Sequence, residues 1–141
     1  MQFISYLSFD GNCAEAFALY AKVFGAEVTE QYTFAEMPDE SDLPSLSDDD
    51  RKKIMHATLK SDDLCLFGSD SLPGFCEGGA YQQPQGVSTA VVLEDLAEAE
   101  RVFAALAEGG AVSMRFGQTF FAAGFGQVRD RFGVPWMVTV W

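Results

Sequence analysis

The sequence predicts an α+β fold built from two β-α-β-β-β modules within one domain. Three observations predict it. Two helical patterns share one opening and one stop, and each is preceded by one extended segment and followed by three. The third observation is size: 141 residues, 48% of them apolar, suit a single domain with a continuous core and exclude an intrinsically disordered chain.

The first helical pattern opens at Asn12-Cys13-Ala14-Glu15, with Asn12 placed to cap and Glu15 to reach back to the cap residue's N–H. Apolar residues recur at Cys13, Ala16, Phe17, Tyr20, Val23 and Phe24, and Gly25 supplies a left-handed stop. Asp95-Leu96-Ala97-Glu98 repeats the opening, with an apolar stripe at Leu96, Ala99, Val102, Phe103 and Leu106 and a stop at Gly109. Both helices carry Ala-Glu-Ala one turn in, and both stops lead into a strand through a valine, Val28 and Val112. Such a repeat sets the plan of the fold.

Extended segments over 3–9 and 87–93 precede the two helices. Three follow in the first half (27–34, 54–60 and 64–68, with a turn at Ser61-Asp62-Asp63) and three in the second (112–116, 120–129 and 135–140, with a turn at Asp130-Arg131-Phe132-Gly133). Gly124 and Gly126 inside the long strand predict a bulge or a close backbone approach. The stretch 37–50, holding Pro38 and Pro44, reads as a polar loop in which Ser47 caps a short helical turn. The Gly/Pro-rich segment 73–86 reads as a hinge, which divides the domain into module one (1–70), a linker (71–86) and module two (87–141).

Composition narrows the partners. A formal net charge of −12 argues against nucleic acid, because the one basic cluster, Arg51-Lys52-Lys53, follows the acidic stretch 39–50. The acidity reads first as solubility. No apolar run reaches the roughly 20 residues a membrane-spanning helix needs, so no membrane partner is expected. Met1-Gln2-Phe3-Ile4-Ser5 lacks the basic start and cleavage site of a secretory signal. Cys13, Cys65 and Cys76 are odd in number and far apart, which fits neither a disulfide framework nor a zinc ribbon. A cytoplasmic location is the expectation.

The run Tyr6-Leu7-Ser8-Phe9-Asp10-Gly11-Asn12-Cys13-Ala14-Glu15-Ala16, followed by Tyr20 and Phe24-Gly25, resembles the PhnB-like branch of the vicinal-oxygen-chelate superfamily. That superfamily also holds glyoxalase I, extradiol dioxygenases and bleomycin-resistance proteins. Further matches are Ile54-Met55-His56-Ala57, Ser69-Asp70, Leu106-Ala107-Glu108-Gly109-Gly110 and Asp130-Arg131-Phe132-Gly133-Val134-Pro135-Trp136-Met137. The resemblance spans essentially the whole chain. It implies two modules whose strands form a curved, cup-like mixed sheet, the glyoxalase/bleomycin-resistance fold, within a homodimer.

Metal-dependent members of the superfamily carry four His or Glu ligands in the cup. The resemblance places them at or near Ser5, His56, Ser88 and Met137. Two hydroxyls and a thioether beside one imidazole do not hold a divalent ion, so no metal is expected. Similar proteins carry the label demethylubiquinone methyltransferase. No Gly-rich turn leads from a strand into a helix to hold a nucleoside cofactor, and no cofactor is expected.

The expectation is therefore a metal-free small-molecule-binding protein or enzyme, with its ligand in a cup lined by Ser5, Leu7, His56, Thr58, Ser88 and Met137. His56, the only histidine, is the candidate catalytic residue, as a base or donor; the competing reading pairs it structurally with a backbone group. A serine nucleophile beside it is disfavoured, because the chain has no Gly-x-Ser-x-Gly elbow. Phe120, Phe121, Phe125 and Trp136 read as core, with Phe120 or Phe121 a candidate pocket wall. Arg115 and Arg129 read as edge-strand charges or as anchors for a carboxylate or phosphate. Antibiotic sequestration, with a cationic ligand drawn by the net charge, is the alternative function. A metal-dependent lyase or dioxygenase is opposed by the ligand count.

Overall fold

The computed structural model describes residues 1–38, 45–75 and 79–141. Pro44, Cys76 and half of the acidic residues of the 37–50 loop (Asp39, Glu40 and Asp42) lie outside the described residues. The chain divides into two compact units, Met1–Gln82 and Gln83–Trp141, with the boundary inside the segment read as a linker.

The first unit runs β1 (Ser5–Phe9), α1 (Cys13–Phe24), β2 (Glu27–Thr33), a 3-10 turn (Phe34–Glu36), α2 (Asp48–Lys52), β3 (Ile54–Lys60) and β4 (Cys65–Asp70). Its sheet has the order β1-β4-β3-β2, in which β1 and β4 are parallel and the other pairs antiparallel. The second unit runs β5 (Thr89–Val92), α3 (Leu96–Ala107), β6 (Ala111–Gly117), β7 (Gly124–Arg129) and β8 (Pro135–Val140). Its sheet repeats the pattern as β5-β8-β7-β6, again with one parallel pair. The repeat seen in the sequence is thus a repeat of topology. Among the described residues, no helix is long and apolar enough to cross a membrane.

Each core forms where the helix stripe meets the alternate residues of the sheet. In unit one, Cys13, Ala16, Phe17, Tyr20 and Val23 are buried together with Leu7, Phe9, Ala57, Leu59 and Leu66. Phe9 meets Phe17 edge-on at 6.0 Å, and a Cβ on Gly68 would lie 2.6 Å from the Phe17 ring. In unit two, Ala99, Val102, Phe103 and Leu106 are buried with Val128, Trp136, Val138 and Val140. Gly126 is a close approach: a Cβ there would stand 2.7 Å from Phe103 and 2.9 Å from the Phe116 backbone. The β6–β7 pairing beside it also shifts register twice.

Several ends differ from the expectation. Strand β7 begins at Gly124 and not at Phe120, because the Thr119 hydroxyl takes the Ala122 N–H and turns the chain there. Phe120 and Phe121 therefore stand on a turn, not on opposite faces of a strand. Asp95 and Ser47 cap α3 and α2 as expected, accepting from the N–H groups of Glu98 and Asp50. Asn12 does not cap α1 with its side chain. The Cys13 N–H donates instead to Asp70 at 2.9 Å, and the other oxygen of that carboxylate takes the Ile54 N–H at 2.8 Å. A charged acceptor is favoured at the positive end of a helix.

Asp70→Ala leaves two buried N–H donors unpaired and should lower stability by about 3 kcal/mol. Urea melts of the two proteins check this, with equal m-values expected.

Candidate functional site

Alternation along β1 and β3 decides what shares a face with His56. Leu7 and Phe9 turn towards α1, as do Ala57 and Leu59, so Tyr6, His56 and Thr58 turn away from it. Strand register adds the neighbours: Phe67 stands between Tyr6 and Thr58, while Tyr32 pairs with His56 and Glu30 with Thr58.

These side chains form a continuous hydrogen-bonded chain. The Tyr6 hydroxyl lies 3.3 Å from His56 Nδ1, and His56 Nε2 lies 3.1 Å from Thr58 Oγ1. Thr58 Oγ1 donates in turn to Glu30 Oε2 at 3.1 Å. Phe67 meets the His56 ring edge-on at 5.2 Å and the Tyr6 ring at 6.3 Å. Thr58 is buried, His56 half-buried, Tyr6 52% exposed and Glu30 exposed, so the chain runs from an accessible phenol through a buried threonine to an exposed carboxylate on the edge strand. Both ring nitrogens of His56 meet side-chain hydroxyls rather than a backbone group.

The structure therefore joins His56 and Thr58 and separates them from Ser5 and Leu7. Leu7 is core, and Ser5 lies two residues before it on the α1 side of β1. The β1 residue on the His56 face is Tyr6. The alternation of Leu7 with Phe9 was the available signal for it. Glu30 carried no such signal, because β2 shows no apolar alternation and its pairing shifts register between Val28 and Glu30.

On the second sheet, Trp136 and Val138 are buried towards α3 and Met137 turns the other way, half-buried between Ala90 and Gln127. Ser88 is exposed just ahead of β5. Trp136 is core, as expected, with its indole N–H donating to Asp130 at 2.8 Å. Asp130 also takes the N–H groups of Phe132 and Val134 and shapes the β7–β8 turn. Phe120, Phe121 and Phe125 form a ladder of edge-on rings at 5.2 and 5.1 Å. Phe120 is fully exposed, so it and Phe121 are not core. Arg129 donates to the carbonyls of Pro84 and Gly133, which ties down the turn. Arg115 is exposed on β6, the edge strand of its sheet.

The donor set does not fit a divalent metal. Of Ser5, His56, Ser88 and Met137 only His56 offers an imidazole or carboxylate, and its nitrogens are engaged. Among the described residues no three His, Cys, Asp or Glu side chains gather to hold an ion.

A twelve-residue helix with a mixed four-stranded sheet, repeated in two units of one chain, is the glyoxalase/bleomycin-resistance fold. A glyoxylase/bleomycin resistance protein/dioxygenase domain from Frankia shares this fold, with a TM-score of 0.63 over 99% of this chain and 96% of that one at 10% identity. The family model described as 3-demethylubiquinone-9 3-methyltransferase matches residues 1–139. Protein YjdN of Escherichia coli K12 is 36% identical over 140 residues, covering 96% of this chain and 92% of its own. Protein PA1353 of Pseudomonas aeruginosa superposes with a TM-score of 0.84 at 40% identity, over 99% and 97% of the two chains. A Bacillus cereus PhnB protein, described as a putative 3-demethylubiquinone-9 3-methyltransferase, shares the fold at a TM-score of 0.74 and 24% identity over the whole of both chains. The chain belongs to this family, described as 3-demethylubiquinone-9 3-methyltransferase, and has the fold of the Frankia glyoxylase/bleomycin resistance protein/dioxygenase domain.

Cys13 is not a hidden nucleophile. Burial, helped by the neighbouring Asp70 carboxylate, pushes its thiol well above the ordinary value of 9.0. A raised thiol stabilises the fold below pH 9.0 and loses that contribution as pH climbs above it, where the unfolded chain ionises first. Cys13→Ala should therefore leave the number of thiols that react with Ellman's reagent in the native protein unchanged at about pH 8. One fewer reactive thiol would show that Cys13 is accessible.

Proposed function

We propose that this protein binds a small molecule, for sequestration or for turnover, without a resident metal, through the His56 face of the first sheet. The observation that supports this reading is the Tyr6–His56–Thr58–Glu30 chain. Four polar side chains from three strands meet in one line with an exposed phenol at its end and a buried threonine within it. A purely structural face of a sheet does not need such a chain, since polar groups half in water are satisfied by water. In this reading His56 holds or relays a proton for the ligand.

A second reading, antibiotic sequestration without chemistry, is favoured by the exposed Phe120–Phe121–Phe125 ladder. Its ring faces suit a cationic ligand, which a chain of net charge −12 also attracts. The same charge disfavours nucleic acid, and the free thiols Cys13 and Cys65 suit a reducing cytoplasm.

In both readings the protein acts as a homodimer. The edge strands β2 and β6 are exposed along nearly their whole length and carry Val28, Tyr32, Val112 and Met114 outwards. Light scattering at tens of micromolar should return about twice 15.4 kDa, and a clean monomer mass would overturn the dimer.

His56→Ala should weaken binding of aromatic probes about tenfold, roughly 1.4 kcal/mol, and lower stability by less than this. Titrations beside urea melts decide it. A large stability loss with unchanged binding assigns His56 a structural role.

A further inference from the structure

The polar chain on the first sheet has a direction, and that direction limits what the proposed ligand is. The Glu30 carboxylate only accepts, so the single hydroxyl proton of Thr58 is committed to it at 3.1 Å. Thr58 Oγ1 must then accept from His56, which requires the proton on Nε2. A neutral imidazole carries one N–H, so Nδ1 presents a lone pair and the Tyr6 hydroxyl donates to it. Tyr6 has no proton left to offer. At its Tyr6 end the chain shows a ligand an oxygen lone pair on a ring packed against Phe67.

The charges around this face agree with that polarity. Glu30 ends the chain. Lys60 stands opposite Glu27 in the β2–β3 register, where the two signs offset each other. Tyr32, the cross-strand partner of His56, adds a second exposed ring.

We infer that Tyr6 is the specificity-determining acceptor for a protonated amine on an aromatic or apolar body, with Glu30 the positioning residue that fixes the His56 tautomer through Thr58. This rests on the first-sheet face being the binding face. A ligand that only accepts, such as a carboxylate or phosphate, meets lone pair against lone pair at Tyr6 and is rejected.

The single histidine makes the test direct. In two-bond ¹H–¹⁵N spectra at about pH 8 the Nε2–H pattern is expected. The Nδ1–H pattern overturns the inference whatever binds. Titration with 2-phenylethylammonium and with 3-phenylpropanoate should then favour the ammonium about tenfold, and Tyr6→Phe should abolish that preference. In Glu30→Gln the carboxamide can donate to Thr58 as well as accept from it, so the direction of the chain is no longer imposed. The Nδ1–H form of His56 should then gain population, the Tyr6 proton is partly released, and the preference for the ammonium should shrink. A wild-type preference for the anion overturns the inference. If His56 shows Nε2–H but neither probe perturbs its signals or those of Tyr6 at millimolar concentration, the binding reading falls and the chain's direction survives.

Discussion

Asp70 lies at the end of β4 with its carboxylate buried, and it ties the start of α1 to the start of β3 through two backbone N–H groups. Much of the first unit follows from that arrangement. The helix begins at Cys13 because its first donor is taken there, and its stripe then falls on the Leu7, Phe9, Ala57 and Leu59 face of the sheet. A buried carboxylate is tolerated because each oxygen holds an N–H donor and one of them sits at the positive end of a helix. Asp130 does comparable work in the second unit by another route, binding two turn N–H groups and the Trp136 indole. Two units of one topology are thus stabilised by two different buried aspartates.

Once α1 claims one face of the first sheet, the other face is left to polar chemistry. Tyr6, His56, Thr58 and Glu30 come from β1, β3 and β2, so their alignment requires the β1–β4, β3–β4 and β2–β3 registers together. A slip of one residue in any strand would send its member of the chain to the helix side. The second sheet differs in character at the corresponding face, where Ala90, Gln127 and Met137 are neighbours and an aromatic ladder begins at Phe125. The duplicated scaffold carries two unlike surfaces.

The fold was legible because its signals are periodic and repeated. The stripe from Cys13 to Phe24, its copy from Leu96 to Leu106 and the glycine stops predicted both helices, and Gly25 and Gly109 take positive φ values as expected. What failed were contacts made at long sequence separation. Asn12 has the look of a cap, yet the acceptor comes from Asp70, 57 residues on. Phe120 and Phe121 read as strand because the Thr119 side-chain bonds that break the strand leave little trace in propensity. At the candidate site His56 was singled out by the resemblance and as the only histidine, and Thr58 by its place two residues along the same strand. Tyr6 was missed by one residue of register, and Glu30 was hidden by an irregular edge strand.

Both tryptophans belong to the second unit: Trp136 is buried against the Asp130 carboxylate and Trp141 is exposed. The one histidine belongs to the first. Each half of the chain therefore has its own spectroscopic voice, indole fluorescence for one and imidazole resonances for the other. Heating curves followed by both signals would show whether the duplicated halves melt as a single cooperative unit or in two separate steps.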